Sequence, residues 1–162
     1  MREETCSFTG HRKIKKEEVR NIEEILYKEI INLINKGYVF FISGGALGFD
    51  TISALTILKL QNIYPYIKLI LALPCKEQDK YWGKKDIDIY NFIKSKSNKL
   101  IYVSEKYTKD CMLKRNKYLI NNSSTCIAYL KNNKGGTFYT VNYAKSNNLN
   151  IINIAKKCKK LP

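Results

Sequence analysis

A chain of 162 residues has length for one ordinary core, and a single domain over 1–162 is expected. Its hydrophobic share of 44% is that of a globular protein, and no apolar run approaches the roughly 18 residues of a membrane span, so a membrane partner is not expected. Five scattered cysteines without CxxC spacing and a single histidine indicate neither a disulfide framework nor a metal site, while a net charge of +15 directs attention to polyanions and anionic small molecules. The lysines occur in every third of the chain and are densest in the tail AKKCKK, so general lysine richness accounts for the charge as well as a nucleic-acid groove would.

The N-terminal MREETCSFTGHR enters a strand around Cys6 and lacks a signal-peptide pattern, so a cytoplasmic protein is expected. Val19, Ile22, Leu26, Ile30 and Leu33 recur in three- and four-residue steps, which predicts a helix from about Lys15 to Lys36 with Gly37 as its stop. The run YVFFIS ends at Ser43 as a second strand, and helix-forming residues resume after the glycines that follow. IKLILAL from Ile67 to Leu73 is a third strand, followed by PCKEQDKYWGKKD, an irregular stretch long enough to border a site. KLIYVS from Lys99 to Ser104, TCIAYL from Thr125 and NIINI from Asn150 complete the strands. Helices are expected around Met112, Leu119 and Ile120, and around Phe138, Val141 and Ala144. Continuous rather than alternating hydrophobicity places the strands under cover on both faces. Their alternation with helices predicts a Rossmann-like doubly wound α/β fold, a mostly parallel sheet flanked by helices. Ligands of such sheets bind beyond the carboxyl ends of the strands.

Four clusters fall at those ends. In SGGALGFD, Gly44, Gly45 and Gly48 could let backbone N–H groups converge on a phosphate where a helix begins; a tight strand-to-helix turn, with Asp50 favouring the helix dipole, explains them equally. FTGHR offers Thr9, Gly10, His11 and Arg12, with binding favoured over catalysis because no nucleophile is paired to the histidine. In EQDKYWGKKD, Trp82 has an aromatic face for a base, with Gln78 as a polar partner, unless the ring simply seals the loop against the core. CMLKRNKYL and KGGTFYTVNYA supply Arg115, Asn116, Gly135, Gly136 and Thr137, a second anion cradle; a buried structural ion pair is the other role open to Arg115.

Taken in order, FTGHR, GGALGFD, PCKEQDKYW, MLKRNKYL and GGTFYTVNYA resemble, along nearly the full chain, the YpsA-like branch of the SLOG superfamily. That superfamily also holds the Lonely Guy phosphoribohydrolases, the DprA core and sensor domains for nucleotides related to NAD and ADP-ribose. The resemblance implies a nucleotide pocket in which Gly44, Gly45 and Gly48 match the phosphate turn and Gly135, Gly136 and Thr137 the second glycine motif. Met112 and Arg115 match the M-x-x-R of the Lonely Guy enzymes, but Thr140 stands where their catalytic glutamate would be. A hydroxyl does not replace a carboxylate in general acid-base help worth about 10²–10⁴ in rate, so no catalytic residue is assigned. The reading is a nucleotide-binding protein holding a phosphorylated ribose, related to NAD or ADP-ribose. It would act as a sensor or by sequestration, for instance in conflict with phage, and be associated with itself, with no cofactor and no metal. A Lonely Guy-like phosphoribohydrolase and a DprA-like binder of single-stranded DNA are the alternatives, in that order.

Overall fold

The computed structural model describes residues 1–158, so Lys159 and Lys160 of the basic tail lie outside the described residues. Six strands and five helices alternate: β1 (Thr5–Gly10), α1 (Lys16–Asn35), β2 (Phe40–Ser43), α2 (Phe49–Leu60), β3 (Lys68–Leu73), α3 (Lys84–Lys96), β4 (Lys99–Tyr102), α4 (Cys111–Asn121), β5 (Thr125–Tyr129), α5 (Gly136–Ser146) and β6 (Asn150–Asn153). None of the helices among these residues is long and apolar enough to cross a membrane.

Local sequence accounts for the elements. Along α1, Ile22, Leu26, Ile30, Leu33 and Ile34 are buried on one stripe, and Glu17 and Glu18 occupy the first turn, where negative charge complements the helix dipole. The helix ends as expected: Gly37 takes a φ of 97°, and Tyr38 N–H returns to the Leu33 carbonyl at 3.0 Å. In α2, Ser53 and Thr56 turn their hydroxyls back onto the Phe49 and Ile52 carbonyls, so polar side chains fit a helix whose Phe49, Ala54, Ile57 and Leu60 are all buried. The stretch expected to be irregular after Leu73 closes sooner than its composition indicates. Helix α3 starts at Lys84, and only its Tyr90 and Ile93 are buried, too few for a clear helical period to stand out in the sequence.

All five strand pairings are parallel, in the order β4-β3-β2-β1-β5-β6. The fold is therefore the doubly wound Rossmann-like sheet that alternation predicts. The chain winds outward from β1 to β4, then restarts at β5 on the other side of β1. The connections leaving β1 and β5 diverge, which opens a crevice beyond their carboxyl ends. One face of the sheet packs Cys6, Phe8, Phe41, Leu69 and Leu71 against α1, α2 and α3. The other carries Ile42, Ala72 and Cys126 under α4 and α5. At the β6 edge, the Asn153 side-chain amide accepts from Leu130 N–H and donates to Leu130 C=O, both at 3.1 Å, extending the β5 ladder by one side-chain rung.

Phe49 joins the crevice walls from below. Its ring stacks on Tyr129 at 5.9 Å between centroids, meets Phe8 edge-on at 6.4 Å, and lies where any Cβ at Gly10 would be, 2.5 Å from its ring atoms. Phe49→Ala is expected to lower the unfolding free energy by about 3–5 kcal/mol in urea denaturation followed by circular dichroism; a loss under about 1 kcal/mol would show that the ring does not hold the strand ends together.

Candidate functional site

Three connections and one helix enclose a cleft of about 260 Å³ at the carboxyl ends of β1 and β5. The end of β1 and the loop after it bring Thr9, Gly10, His11 and Arg12; the β2–α2 loop brings Ala46 and the first turn of α2 Asp50; α4 brings Arg115 and Asn116; the β5–α5 loop brings Lys134 and Gly135, and the start of α5 Gly136 and Thr137. Ten of the fifteen residues singled out from the sequence therefore line one cleft: Thr9, Gly10, His11, Arg12, Asp50, Arg115, Asn116, Gly135, Gly136 and Thr137.

Gly44, Gly45 and Gly48 stand behind that wall, and packing explains why they are small. A Cβ on Gly44 would come within 2.6 Å of Arg115 Nη1. At Gly48 the φ of 75° already disfavours a side chain, and a Cβ would lie 2.6 Å from the His11 carbonyl oxygen and nearer still to that of Arg12. This close approach lets Phe49 N–H donate to the His11 carbonyl at 3.1 Å, joining the start of α2 to the end of β1. Within the loop, Gly45 N–H donates to Ser43 Oγ at 3.3 Å and Ala46 N–H to Asp50 Oδ2 at 3.2 Å. Two amides that a phosphate turn would present are thus already satisfied by neighbouring side chains, and from this segment Ala46 and, in the first turn of α2, Asp50 line the cleft.

Arg115 dominates the electrostatics. Its side chain is 3% exposed, donates from Nη1 to the Gly44 carbonyl and to Gln78 Oε1 (3.5 Å), and from Nε to Asn116 Oδ1 (2.9 Å). Among the described residues no carboxylate lies within 4.0 Å of it. Burial lowers its pKa, opposed by the field of Asp50, but a guanidinium stays protonated regardless. Burial in turn pushes the Asp50 carboxyl above its ordinary value, against the pull of Arg115, the Ala46 N–H and Arg12. The result is a buried cation that feels a carboxylate without touching one, the ion-pair role foreseen for it being unfilled by direct contact.

His11 is fixed from β5 and the residues that follow it. Its Nε2 accepts the Lys131 N–H at 2.8 Å, and its ring meets Tyr129 edge-on at 6.0 Å. That acceptor role requires a bare Nε2, hence the Nδ1–H tautomer of a neutral ring. Burial, then the Lys131 charge, hold its pKa below the ordinary value. Across the cleft α5 begins at Gly136 with no side-chain cap, so its first N–H groups and the positive end of its dipole are available at the wall.

Gln78 and Trp82 are not brought to the cleft. Gln78 is buried, donating to the Gly45 carbonyl at 3.4 Å and to Tyr90 Oη at 3.3 Å while it accepts from Arg115, so it braces the guanidinium from behind. Trp82 meets Tyr90 edge-on at 5.0 Å and packs on the main core, the loop-sealing position. Thr140 is 1% exposed and donates its hydroxyl to the Gly136 carbonyl at 2.8 Å. Lys134 also lines the cleft, and its one signal in the sequence is that it immediately precedes Gly135-Gly136. Among the described residues no group of three or more His, Cys, Asp or Glu side chains could hold a metal ion.

A doubly wound parallel sheet with a cation-rich crevice at its switch point places the protein among Rossmann-like proteins. The model described as the YspA SLOG family (YpsA) matches residues 8–156, and the chain belongs to that family. The SPbeta prophage-derived protein YoqJ of Bacillus subtilis is 34% identical over 145 residues, covering 82% of this chain and 81% of the relative; a UPF0398 protein of Bacillus cereus is 28% identical over 130 residues, covering 78% and 71%. Among solved structures, DNA processing protein A (DprA) from Helicobacter pylori superposes with a TM-score of 0.67 at 19% identity over 91% of this chain, and DprA from Streptococcus pneumoniae with 0.66 at 15% over 92%. This chain spans 63% of the former and 49% of the latter. At such identities the likeness is one of fold.

Because His11 is the sole histidine, its titration is readable in isolation. Its imidazole signals in carbon–proton correlation spectra are expected to titrate below the ordinary midpoint of about 6.5. With the folded value depressed, the unfolded chain binds the proton first, so this contribution to stability is complete above about pH 6.5 and declines as pH falls through the folded-state midpoint. A midpoint at or above 6.5 would contradict the burial of the ring beside Lys131. A second expectation concerns the loop: Gly48→Ala should destabilise the fold by more than the roughly 1 kcal/mol of a simple conformational penalty, whereas Gly136→Ala, with open space around it, should not. Thermal unfolding of the two variants compares them directly.

Proposed function

We propose that the cleft binds the phosphorylated ribose of a nucleotide and holds it without turnover. The observation that carries this reading is Arg115, a buried guanidinium on the cleft wall with no carboxylate in contact among the described residues. Burying such a charge is costly unless something compensates it, and a phosphate does so with charge-assisted hydrogen bonds. Arg12, Lys134 and the uncapped start of α5 add positive potential, against which the wall offers one carboxylate, Asp50. The cleft volume suits a ribose phosphate better than a whole dinucleotide, leaving the rest of the ligand outside.

Within that reading the ligand is an NAD- or ADP-ribose-related signal, met by a cytoplasmic sensor or sequestering protein. A sensor of this kind passes its signal through partners or copies of itself; sequestration, as in defence against phage, requires neither. Thr140, engaged with the Gly136 carbonyl, supplies no proton relay, which weighs against a Lonely Guy-like hydrolase. The Helicobacter protein's binding of single-stranded DNA, together with the +15 charge, makes a strand the competing ligand.

The test is calorimetry of the full chain with AMP, NAD and ADP-ribose, followed by denaturation and chromatography. Binding with each ligand recovered intact is expected. Arg115→Ala should weaken capture about tenfold or more, as should Lys134→Ala, whose exposed side chain leaves the fold untouched. Absence of binding to all three would overturn the nucleotide reading, and free base released over several turnovers would overturn the claim of no turnover.

A further inference from the structure

Beyond the His11–Arg12 corner lies a second cleft, of about 450 Å³, that shares both residues with the first. Lys13, Lys15 and Lys131 join Arg12 on its wall, and the one carboxylate there is Glu18. That carboxylate is already engaged: Lys131 Nζ sits 2.7 Å from it and the Tyr129 hydroxyl donates to it. Arg12, Lys13 and Lys15 have no carboxylate within 4.0 Å among the described residues. Isolated surface lysines are ordinarily just solvated, but these three cations surround a concavity continuous with the candidate site. The ridge between the clefts is also rigidly built, since His11 receives the Lys131 N–H on one side and its carbonyl receives Phe49 N–H on the other.

We infer that the second cleft is a second phosphoryl subsite, and that the ligand class is a nucleoside with phosphoryl groups on both the 5′ and 3′ sides of its sugar. This rests on the phosphorylated-ribose reading proposed above and departs from it in the ligand, since NAD and ADP-ribose carry their two phosphoryl groups joined. The argument is geometric. Two phosphoryl groups joined as a pyrophosphate share a bridging oxygen and would occupy one cleft together. Two cation-lined clefts that share the His11–Arg12 corner suit two anionic groups held apart, and a ribose between its 5′ and 3′ oxygens is such a spacer. One phosphoryl group then faces Arg115, Lys134 and the start of α5 with the ribose beside it in the first cleft, and the other lies past the ridge toward Lys13 and Lys15, with Arg12 lining both clefts. The same chemistry occurs in a free nucleoside 3′,5′-bisphosphate and at the 5′-phosphorylated end of a single strand.

The experiment compares AMP, adenosine 3′,5′-bisphosphate and a 5′-phosphorylated single-stranded oligonucleotide by calorimetry on the full chain at one fixed ionic strength, with the parent protein and with Lys13→Ala/Lys15→Ala. Both lysines are exposed and precede α1, so the double variant folds normally. The parent is expected to bind the bisphosphate about tenfold more tightly than AMP, the scale of one added charge-assisted contact. The double variant should lose that advantage while binding AMP as the parent does. An oligonucleotide that binds more tightly than the bisphosphate and is weakened by the double substitution supports the same subsite, with a strand end as the source; an oligonucleotide weaker than the bisphosphate identifies the small molecule. Equal parent affinity for AMP and the bisphosphate overturns the second subsite alone. So does a double variant weakened equally toward both, which would reveal a general field. Failure of all three ligands to bind overturns the nucleotide reading itself.

Discussion

Everything at the crevice depends on one buried charge. Arg115 projects from α4 through the sheet's switch point and donates to the Gly44 carbonyl, tying the helix that returns from β4 to the loop that leaves β2. The chain accommodates it by removing side chains rather than by adding a counterion: Gly44 has no Cβ to obstruct the guanidinium, and Gln78 and Asn116 satisfy N–H donors with neutral oxygens. Hydrogen bonds to uncharged groups orient a guanidinium while leaving its net charge standing. A carboxylate in direct contact would have cancelled the charge and closed the site.

The remaining architecture serves to keep that charge beside the cleft. Phe49 closes the space beneath the ends of β1 and β5, and the Gly48 approach fixes the start of α2 against the His11 carbonyl. Asp50 has two roles, stapling its own loop through the Ala46 amide and moderating the Arg115 field from a distance. The hydroxyl-bearing face of β1 contributes as well: Ser7 receives the Ser123 hydroxyl at 2.8 Å, bringing the end of α4 onto the strand without a bulky apolar layer between them.

Much of this was legible in the residues. The strands were readable because their apolar runs are continuous, as burial on both faces demands, and α1 because five apolar residues share one stripe. The clusters FTGHR, the Met112–Arg115 segment and Gly135-Gly136-Thr137 do meet, since doubly wound topology gathers strand ends into one crevice. Helix α3 was not legible because it buries only Tyr90 and Ile93. The glycines of SGGALGFD marked the site while concealing their part in it: sequence reveals that something approaches, and only the fold shows that for Gly44 it is a side chain of the same protein. Trp82 and Gln78 are a similar case, since a polar loop gives no sign of which members turn inward toward Tyr90.

The side-chain rung between Asn153 and Leu130 reaches further than the sheet edge where it lies. Leu130 is anchored by that amide, the next residue commits its N–H to His11, and five residues later the backbone is already in α5. The arc facing both clefts is thus clamped at each end, and its adjustable portion shrinks to Asn132, Asn133 and Lys134. Length changes among relatives should concentrate in those three positions, where an added residue would alter the mouth of the crevice without disturbing its floor. The edge strand, which lines neither of these clefts, in this way sets how much variation the entrance can tolerate.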